Sequence, residues 1–164
     1  MIRSATAADV PDLLALWNPQ IRDTTITFSA QEKTAAGLTA MIAERAAAGH
    51  VFLVARDPQD GTLWGFATYA PFRGHNDGFA RTMEHTIVLA PAAWGRGIGR
   101  RLMAALEDHA RAAGVHIMVA CVTAENAAGL GFHRALGYLD VGLMPETGFK
   151  FGRWLDLAIL QKTL

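Results

Sequence analysis

Chemistry in this chain concentrates at one glycine-rich segment, Trp94-Gly95-Arg96-Gly97-Ile98-Gly99-Arg100-Arg101-Leu102. It lies between a strand pattern and an amphipathic helix pattern. Glycines let the backbone turn sharply and aim several N–H groups at one point. A helix N-terminus adds unpaired donors and partial positive charge, so the place suits a phosphate or pyrophosphate. Spacing narrows the choice. A dinucleotide fingerprint needs a third glycine where Arg100 stands, and a P-loop needs Gly-Lys-Ser/Thr; neither is present. Glu84 opens the strand before this turn, a place suited to a general base working directly or through a water. His85 follows it, but strand neighbours point to opposite faces, so the two are not expected to share one site, and His85 is expected to be packed. Cys121 lies in the apolar run 117–122 and reads as core rather than nucleophile. The six histidines form no H-x-H or H-E-x-x-H pattern and there is no cysteine pair, so no metal site is expected.

The elements that must hold these residues follow from periodicity. Thr6-x-x-Asp9 resembles a capping box, and Val10, Leu13, Leu14 and Trp17 follow at helical spacing, with Pro11 tolerable in the first turn. Residues 18–30, with Pro19 and several threonines, read as a loop. A second helix carries Leu38, Met41 and Ile42 and stops at Gly49. Residues 51–56 and 62–69 are apolar runs joined by Asp57-Pro58-Gln59-Asp60-Gly61, which predicts a hairpin. Residues 71–81 read as a loop and 84–89 as a strand. A helix then carries Ile98, Leu102, Leu106 and Ala110 and ends at Gly114. A strand over 115–122, a helix over 126–136 and a final strand over 154–160 complete a mixed α/β single domain spanning residues 1–164. Residues 149–154 suit a hairpin tip.

Bulk properties agree. The 164 residues are 51% hydrophobic and 18% charged, enough apolar material for one core. Fifteen basic residues balance fifteen acidic ones, which argues against a nucleic-acid partner. No stretch approaches the roughly 20 apolar residues of a membrane span, and no signal-peptide pattern opens the chain. A single cysteine favours a reducing compartment, so a cytoplasmic protein is expected.

Taken with its strand and helix, Trp94-Gly95-Arg96-Gly97-Ile98-Gly99 resembles the Arg/Gln-x-x-Gly-x-Gly/Ala pyrophosphate motif of the GNAT N-acetyltransferases, with Trp94 in place of the usual Arg or Gln. Within that superfamily the chain is similar, along its whole length, to the phosphinothricin and methionine-sulfone (sulfoximine) acetyltransferases. The marks are Thr24-Thr25-Ile26-Thr27-Phe28, Pro71-Phe72-Arg73, Met83-Glu84-His85-Thr86, Ala124-Glu125-Asn126-Ala127-Ala128, His133-Arg134-Ala135-Leu136-Gly137-Tyr138 and 148–156. A minor departure is Gly129, where Ser is common.

The resemblance implies a central, mostly antiparallel twisted sheet flanked by helices, with a splayed strand pair at the acetyl-CoA site. It implies direct ternary-complex transfer of an acetyl group to a small amino-acid-like amine. Glu84 would be the base, with His133 a second acid/base candidate and Tyr138 a candidate to protonate the leaving thiolate. Thr86, Ile87 and Val88 would meet the acetyl and pantetheine arm, Trp94 to Arg100 (with Gly95, Arg96, Gly97, Ile98 and Gly99) the pyrophosphate, and Asn126 the pantetheine. An amino-acid acceptor brings a carboxylate that favours arginine, so Arg73 and Arg81 become substrate candidates, with Met83 and Glu84 beside them and Phe28 as an apolar wall. A homodimer is also implied. Polyamine, aminoglycoside or protein N-terminal acceptors stay open, as does a non-catalytic acyl-CoA sensor.

Overall fold

The computed structural model describes residues 1–74 and 76–164; His75, in the loop expected over 71–81, lies outside the described residues. The elements are β1 (Ile2–Ser4), α1 (Val10–Asp23), α2 (Ala35–Ala47), β2 (Phe52–Arg56), β3 (Leu63–Pro71), β4 (Thr82–Leu89), α3 (Ile98–Ala112), β5 (Ile117–Thr123), α4 (Ala127–Ala135), β6 (Leu139–Lys150) and β7 (Arg153–Thr163). The strands form one sheet in the order β1-β2-β3-β4-β5-β7-β6. Every pairing is antiparallel except β4 with β5. The mixed α/β reading and the mostly antiparallel sheet hold.

Each face of the sheet is covered by helices, which makes two apolar cores. Leu13, Trp17, Ile21 and Leu38 of α1 and α2 pack with Phe52, Val54 and Phe66 on one face. Leu102, Met103, Leu106 and Ala110 of α3 pack with Met118, Ala120 and Leu160 on the other. The alternation of β2 and β3 side chains between these layers explains why both strands are buried on both sides.

Three elements depart from the sequence reading. First, α1 continues through Pro19 to Asp23. Proline removes one backbone bond, but Ile21 extends the buried stripe of Val10, Leu13 and Trp17 by another turn, and this burial outweighs the loss. Second, residues 2–4, which the periodicity assigns to no element, form β1; the strand is only three residues long and adds an edge to β2. Third, residues 139–150 form β6, the outer arm of a long hairpin with β7. Pro145, Gly142 and Gly148 hide the strand from pattern reading, and the ladder slips beside Gly142 and again between Met144 and Gly148. An edge strand tolerates such residues because one of its sides makes no ladder bonds.

The N-terminal layer is pinned by Asp9, which is almost fully buried. Its carboxylate accepts from Arg3 at 2.7 and 2.8 Å, from Arg56 Nε at 2.9 Å and from the Thr6 backbone N–H at 2.8 Å. The Thr6/Asp9 capping box thus also ties β1 and β2 to the start of α1. The Arg3 hydrogen bonds, aided by Thr6 and Arg56, hold the Asp9 carboxyl well below the usual carboxylate range. A depressed folded-state value adds stability above the unfolded value of about 3.9, and this is lost as pH falls from there toward the folded value. Asp9→Asn should therefore lower stability at pH 7 by about 3 kcal/mol. The deficit should shrink below about pH 4, as followed by urea unfolding across pH.

Candidate active site

Strands β4 and β5 pair only over Thr82, Met83 and Glu84 with Ile117, Met118 and Val119. Beyond Glu84 they separate, while β4 stays paired with β3 through Leu89. This opens a wedge in the sheet and leaves one edge of β4 without a neighbour. The Arg81 carbonyl accepts from Ile117 on the β5 side, and the Thr82 carbonyl accepts from Phe72 on the β3 side. Alternation along the strand then turns the backbone groups of Ile87 and Leu89 toward the gap, and those of Thr86 and Val88 toward β3. Ile87 carries the first N–H that neither strand occupies.

A cavity of about 980 Å³ fills the wedge and reaches both faces of the sheet. On the α1 face its wall includes Trp17, Ile26, Thr27, Phe28, Glu84 and Cys121. On the α3–α4 face it includes His85, Gly97, Gly99, Arg100, Asn126 and His133. Glu84 and His85 do point to opposite faces, but the expectation that they would not share a site fails. The strands have parted, and one cavity touches both.

The glycine turn has the expected form. Gly95 and Gly97 take left-handed φ values of 70° and 72°, which side-chain-bearing residues rarely adopt. Gly97 is also the N-cap of α3, and no side chain caps that helix. The first N–H groups of α3 therefore point, unpaired, out of the helix end where Gly97, Gly99 and Arg100 line the cavity. A Cβ on Gly99 would stand 2.8 Å from a Leu89 methyl and 3.0 Å from the Phe132 ring, so a larger residue here would have to displace those side chains where α3 meets β4. Such a cradle fits a pyrophosphate. Trp94 is 64% exposed at its rim. Arg96 lies over the Trp64 ring at 4.8 Å and Ile98 is buried in the core; neither lines the cavity.

Electrostatics separates the two faces. Burial raises the Glu84 carboxyl above its ordinary value, with the Cys121 thiol opposing the shift. Burial, reinforced by Glu84, pushes the Cys121 thiol up to about 12, so it is not a thiolate at neutral pH. Across the sheet, His85 Nε2 lies 3.0 Å from His133 Nε2, and His133 Nδ1 lies 2.7 Å from the Gly129 carbonyl oxygen. A carbonyl only accepts, so His133 carries its proton on Nδ1, and the proton between the rings belongs to His85. Burial lowers both imidazoles, His85 to about 3 with His133 contributing, and the pair is neutral at pH 7.

The remaining candidates divide. Phe28, Thr86, Ile87, Val88, Trp94, Gly95 and Asn126 join the cavity wall, and Asn126 also caps α4 by accepting from Gly129 N–H at 2.9 Å. Tyr138 does not. It is buried, its hydroxyl donates to Glu107 at 3.2 Å, and burial with that carboxylate raises its pKa, so the expected thiolate acid is directed away from the wedge. Met83 is buried beneath the wedge, and Arg73 and Arg81 are exposed; Arg73 lies over Phe79 at 5.4 Å. None of these three lines the cavity. Sequence reading missed Trp17 and Cys121 as wall residues, because both sit in patterns that signal core alone. Among the described residues no group of three metal-ligating side chains occurs, and no helix is long and apolar enough to cross a membrane.

Residues 13–138 match the acetyltransferase (GNAT) family model. The chain belongs to the GNAT family of acetyltransferases. It is 40% identical, over 99% of its length and 94% of the relative's, to the L-methionine sulfoximine/L-methionine sulfone acetyltransferase of Pseudomonas paraeruginosa. It is 36% identical to the L-amino acid N-acyltransferase MnaT of Escherichia coli, over 99% of this chain and 93% of that one. A phosphinothricin acetyltransferase of Sinorhizobium meliloti, solved with acetyl-CoA, superposes with a TM-score of 0.93 at 31% identity, covering 100% of this chain and 88% of that one.

Glu84 is the one carboxylate among the described residues that line the cavity. Glu84→Gln keeps its shape without its basicity and should slow acetyl transfer by roughly 10²–10⁴-fold while acetyl-CoA still binds. The acid limb of the wild-type kcat/KM profile should lie above about 4.3, the ordinary glutamate value, because burial favours the protonated form, and the variant should lose that limb. Normal turnover by Glu84→Gln at neutral pH would place deprotonation elsewhere.

Proposed function

We propose that this chain acetylates the amine of a small amino-acid-like acceptor of the methionine sulfone, methionine sulfoximine or phosphinothricin type, using acetyl-CoA as donor in a ternary complex. The observation that carries the reading is the wedge. It joins an uncapped, glycine-lined helix end on one face to a buried carboxylate and an apolar wall on the other. Bound acetyl-CoA supplies an activated acetyl thioester. The α3 N–H groups, with Arg100 alongside, hold the pyrophosphate, and Asn126 meets the pantetheine arm. Glu84 takes the proton from the acceptor ammonium. The free amine would then add to the thioester carbonyl, with the Ile87 N–H, aimed into the gap and free of any ladder bond, positioned to donate to the oxygen as it gains charge. The C–S bond would break as the C–N bond forms, and the CoA thiolate would leave as the thiol by taking the proton still on the amide nitrogen. The protonated state of Cys121 favours direct transfer over an acetyl-cysteine route.

His133 stays a candidate for contact with the reacting groups from the α4 face, through a ring held neutral by burial. Retention of Glu84 at the wedge favours an enzyme over a silent acyl-CoA sensor. The relatives' named acceptors favour amino acids over polyamines and aminoglycosides. Arg73 and Arg81 do not line the cavity of a single chain, so their grip on an acceptor carboxylate requires a second subunit or closure of their loop. The exposed apolar residues along β6, Leu139, Val141, Leu143 and Met144, support the homodimer reading, since a solvated edge strand rarely carries so many. The single cysteine supports a reducing, cytoplasmic setting.

Acceptor class is tested by thiol release from acetyl-CoA with L-methionine sulfone against its methyl ester. A charge-assisted contact to the carboxylate should favour the acid by about ten- to a hundredfold in kcat/KM, and Arg73→Ala and Arg81→Ala should each remove part of that preference. Equal rates on acid and ester would overturn the amino-acid reading.

A further inference from the structure

The acceptor end of the wedge is built on a segment with little structure of its own. Residues 24–34, between α1 and α2, contain no helix or strand, yet Ile26, Thr27 and Phe28 from this segment form part of the cavity wall. Something outside the segment has to fix the Phe28 ring.

Lys150, the last residue of β6, is 4% exposed. Its ammonium donates to the Ile21 carbonyl at 2.6 Å and to the Thr27 carbonyl at 2.8 Å. Both partners are backbone oxygens, so no carboxylate offsets the burial, and desolvation lowers the lysine pKa. Ile21 lies in the last turn of α1, where carbonyls lack intrahelical partners and the helix dipole favours a cation. The neighbouring Gln20 carbonyl is taken by the Thr24 hydroxyl at 2.6 Å. One ammonium thus joins the end of α1, the peptide preceding Phe28 and the tip of the β6–β7 hairpin.

A second contact comes from the same strand. A Cβ on Gly148 would fall 2.4 Å from the Phe28 ring, so that ring lies directly on bare β6 backbone. Gly148 does not have the positive φ that would require glycine for conformational reasons. Its missing side chain is needed for space.

We propose that Lys150 is a positioning residue for acceptor specificity: together with the bare backbone at Gly148 it straps the 24–28 segment and sets the place of the Phe28 wall. The proposal rests on the small-acceptor reading above. It assigns no chemistry to Lys150, which does not line the cavity. The strap acts on the α1 face of the wedge and makes no contact with the glycine cradle, so it should alter acceptor binding while leaving the donor untouched.

Lys150→Met keeps the length and apolar character of the chain but has no donor. The expected result is a KM for L-methionine sulfone raised roughly tenfold or more, with kcat within about twofold and acetyl-CoA affinity by calorimetry unchanged. Lys150→Arg, which retains donors, should recover part of the lost affinity. Gly148→Ala pushes on Phe28 without touching the ammonium and should give the same split between KM and kcat. Hydrogen exchange supplies a readout independent of the acceptor. Amides of residues 24–28 should exchange faster in Lys150→Met, and those at the start of α3 should not. A wild-type KM in a folded Lys150→Met protein, or a matching loss of acetyl-CoA affinity, would overturn the strap. If Lys150→Met does not fold, an unchanged KM in Gly148→Ala overturns it. If the wild type fails to acetylate methionine sulfone, the acceptor reading falls, and the exchange rates of residues 24–28 alone decide the strap.

Discussion

The whole site depends on β4 and β5 ceasing to pair after Glu84. A continuous parallel ladder would satisfy the backbone of residues 85–89 and close the sheet, leaving no route between its faces. Parting the strands costs those ladder bonds, and each exposed backbone group must find another partner or remain available to a ligand. Gly99 leaves room for the Leu89 and Phe132 side chains where α3 meets the released end of β4. The unpaired Ile87 N–H is the chemical product of the wedge.

Opening the sheet also lets alternation along one strand divide labour between two faces. Glu84 and His85 are neighbours in sequence, yet one joins a thiol beneath α1 and the other an imidazole beneath α4. In a closed sheet they would belong to separate cores. Here each faces a common cavity from its own side, and low polarity acts on them oppositely. Burial raises the carboxyl and lowers the imidazoles, so both faces move toward neutrality at pH 7. A buried carboxylate is more basic than it would be in water, which fits the role proposed for Glu84 in taking a proton.

Much of this was legible in the sequence, and the exceptions share a cause. The glycine turn, the helix it opens and the carboxylate before it are local signals, and each lies within a few residues of where the structure places it. The cavity wall is another matter. Trp17 is core on one side and wall on the other, and Cys121, in an apolar strand run, is only half-buried because its side chain faces the cavity. Tyr138 follows a family motif, but its hydroxyl direction is decided by Glu107, 31 residues away. Helix α1 outlasts Pro19 because Ile21 finds a buried place that only the assembled sheet supplies. Spacing identifies which side chains share an element; it does not identify which distant backbone they meet.

The β6–β7 hairpin is where that limit has functional weight. Its outer arm has neither clean alternation nor buried residues over most of its length, so periodicity passes over it. Yet its last three residues do what no local signal announces: Gly148 supplies a surface flat enough for an aromatic ring, and Lys150 brings a cation to carbonyls 123 and 129 residues earlier in the chain. An edge strand is well placed for this work. Its outer positions carry few packing obligations, so glycine and a buried lysine are tolerated there at a stability cost that central strands would multiply. The proposed base and cradle consequently lie in the middle of the sheet, around β4 and α3, and the proposed strap lies at its margin. That separation would let acceptor preference change by substitution in the hairpin and in the segment it restrains, with the wedge, its base and its cradle left intact.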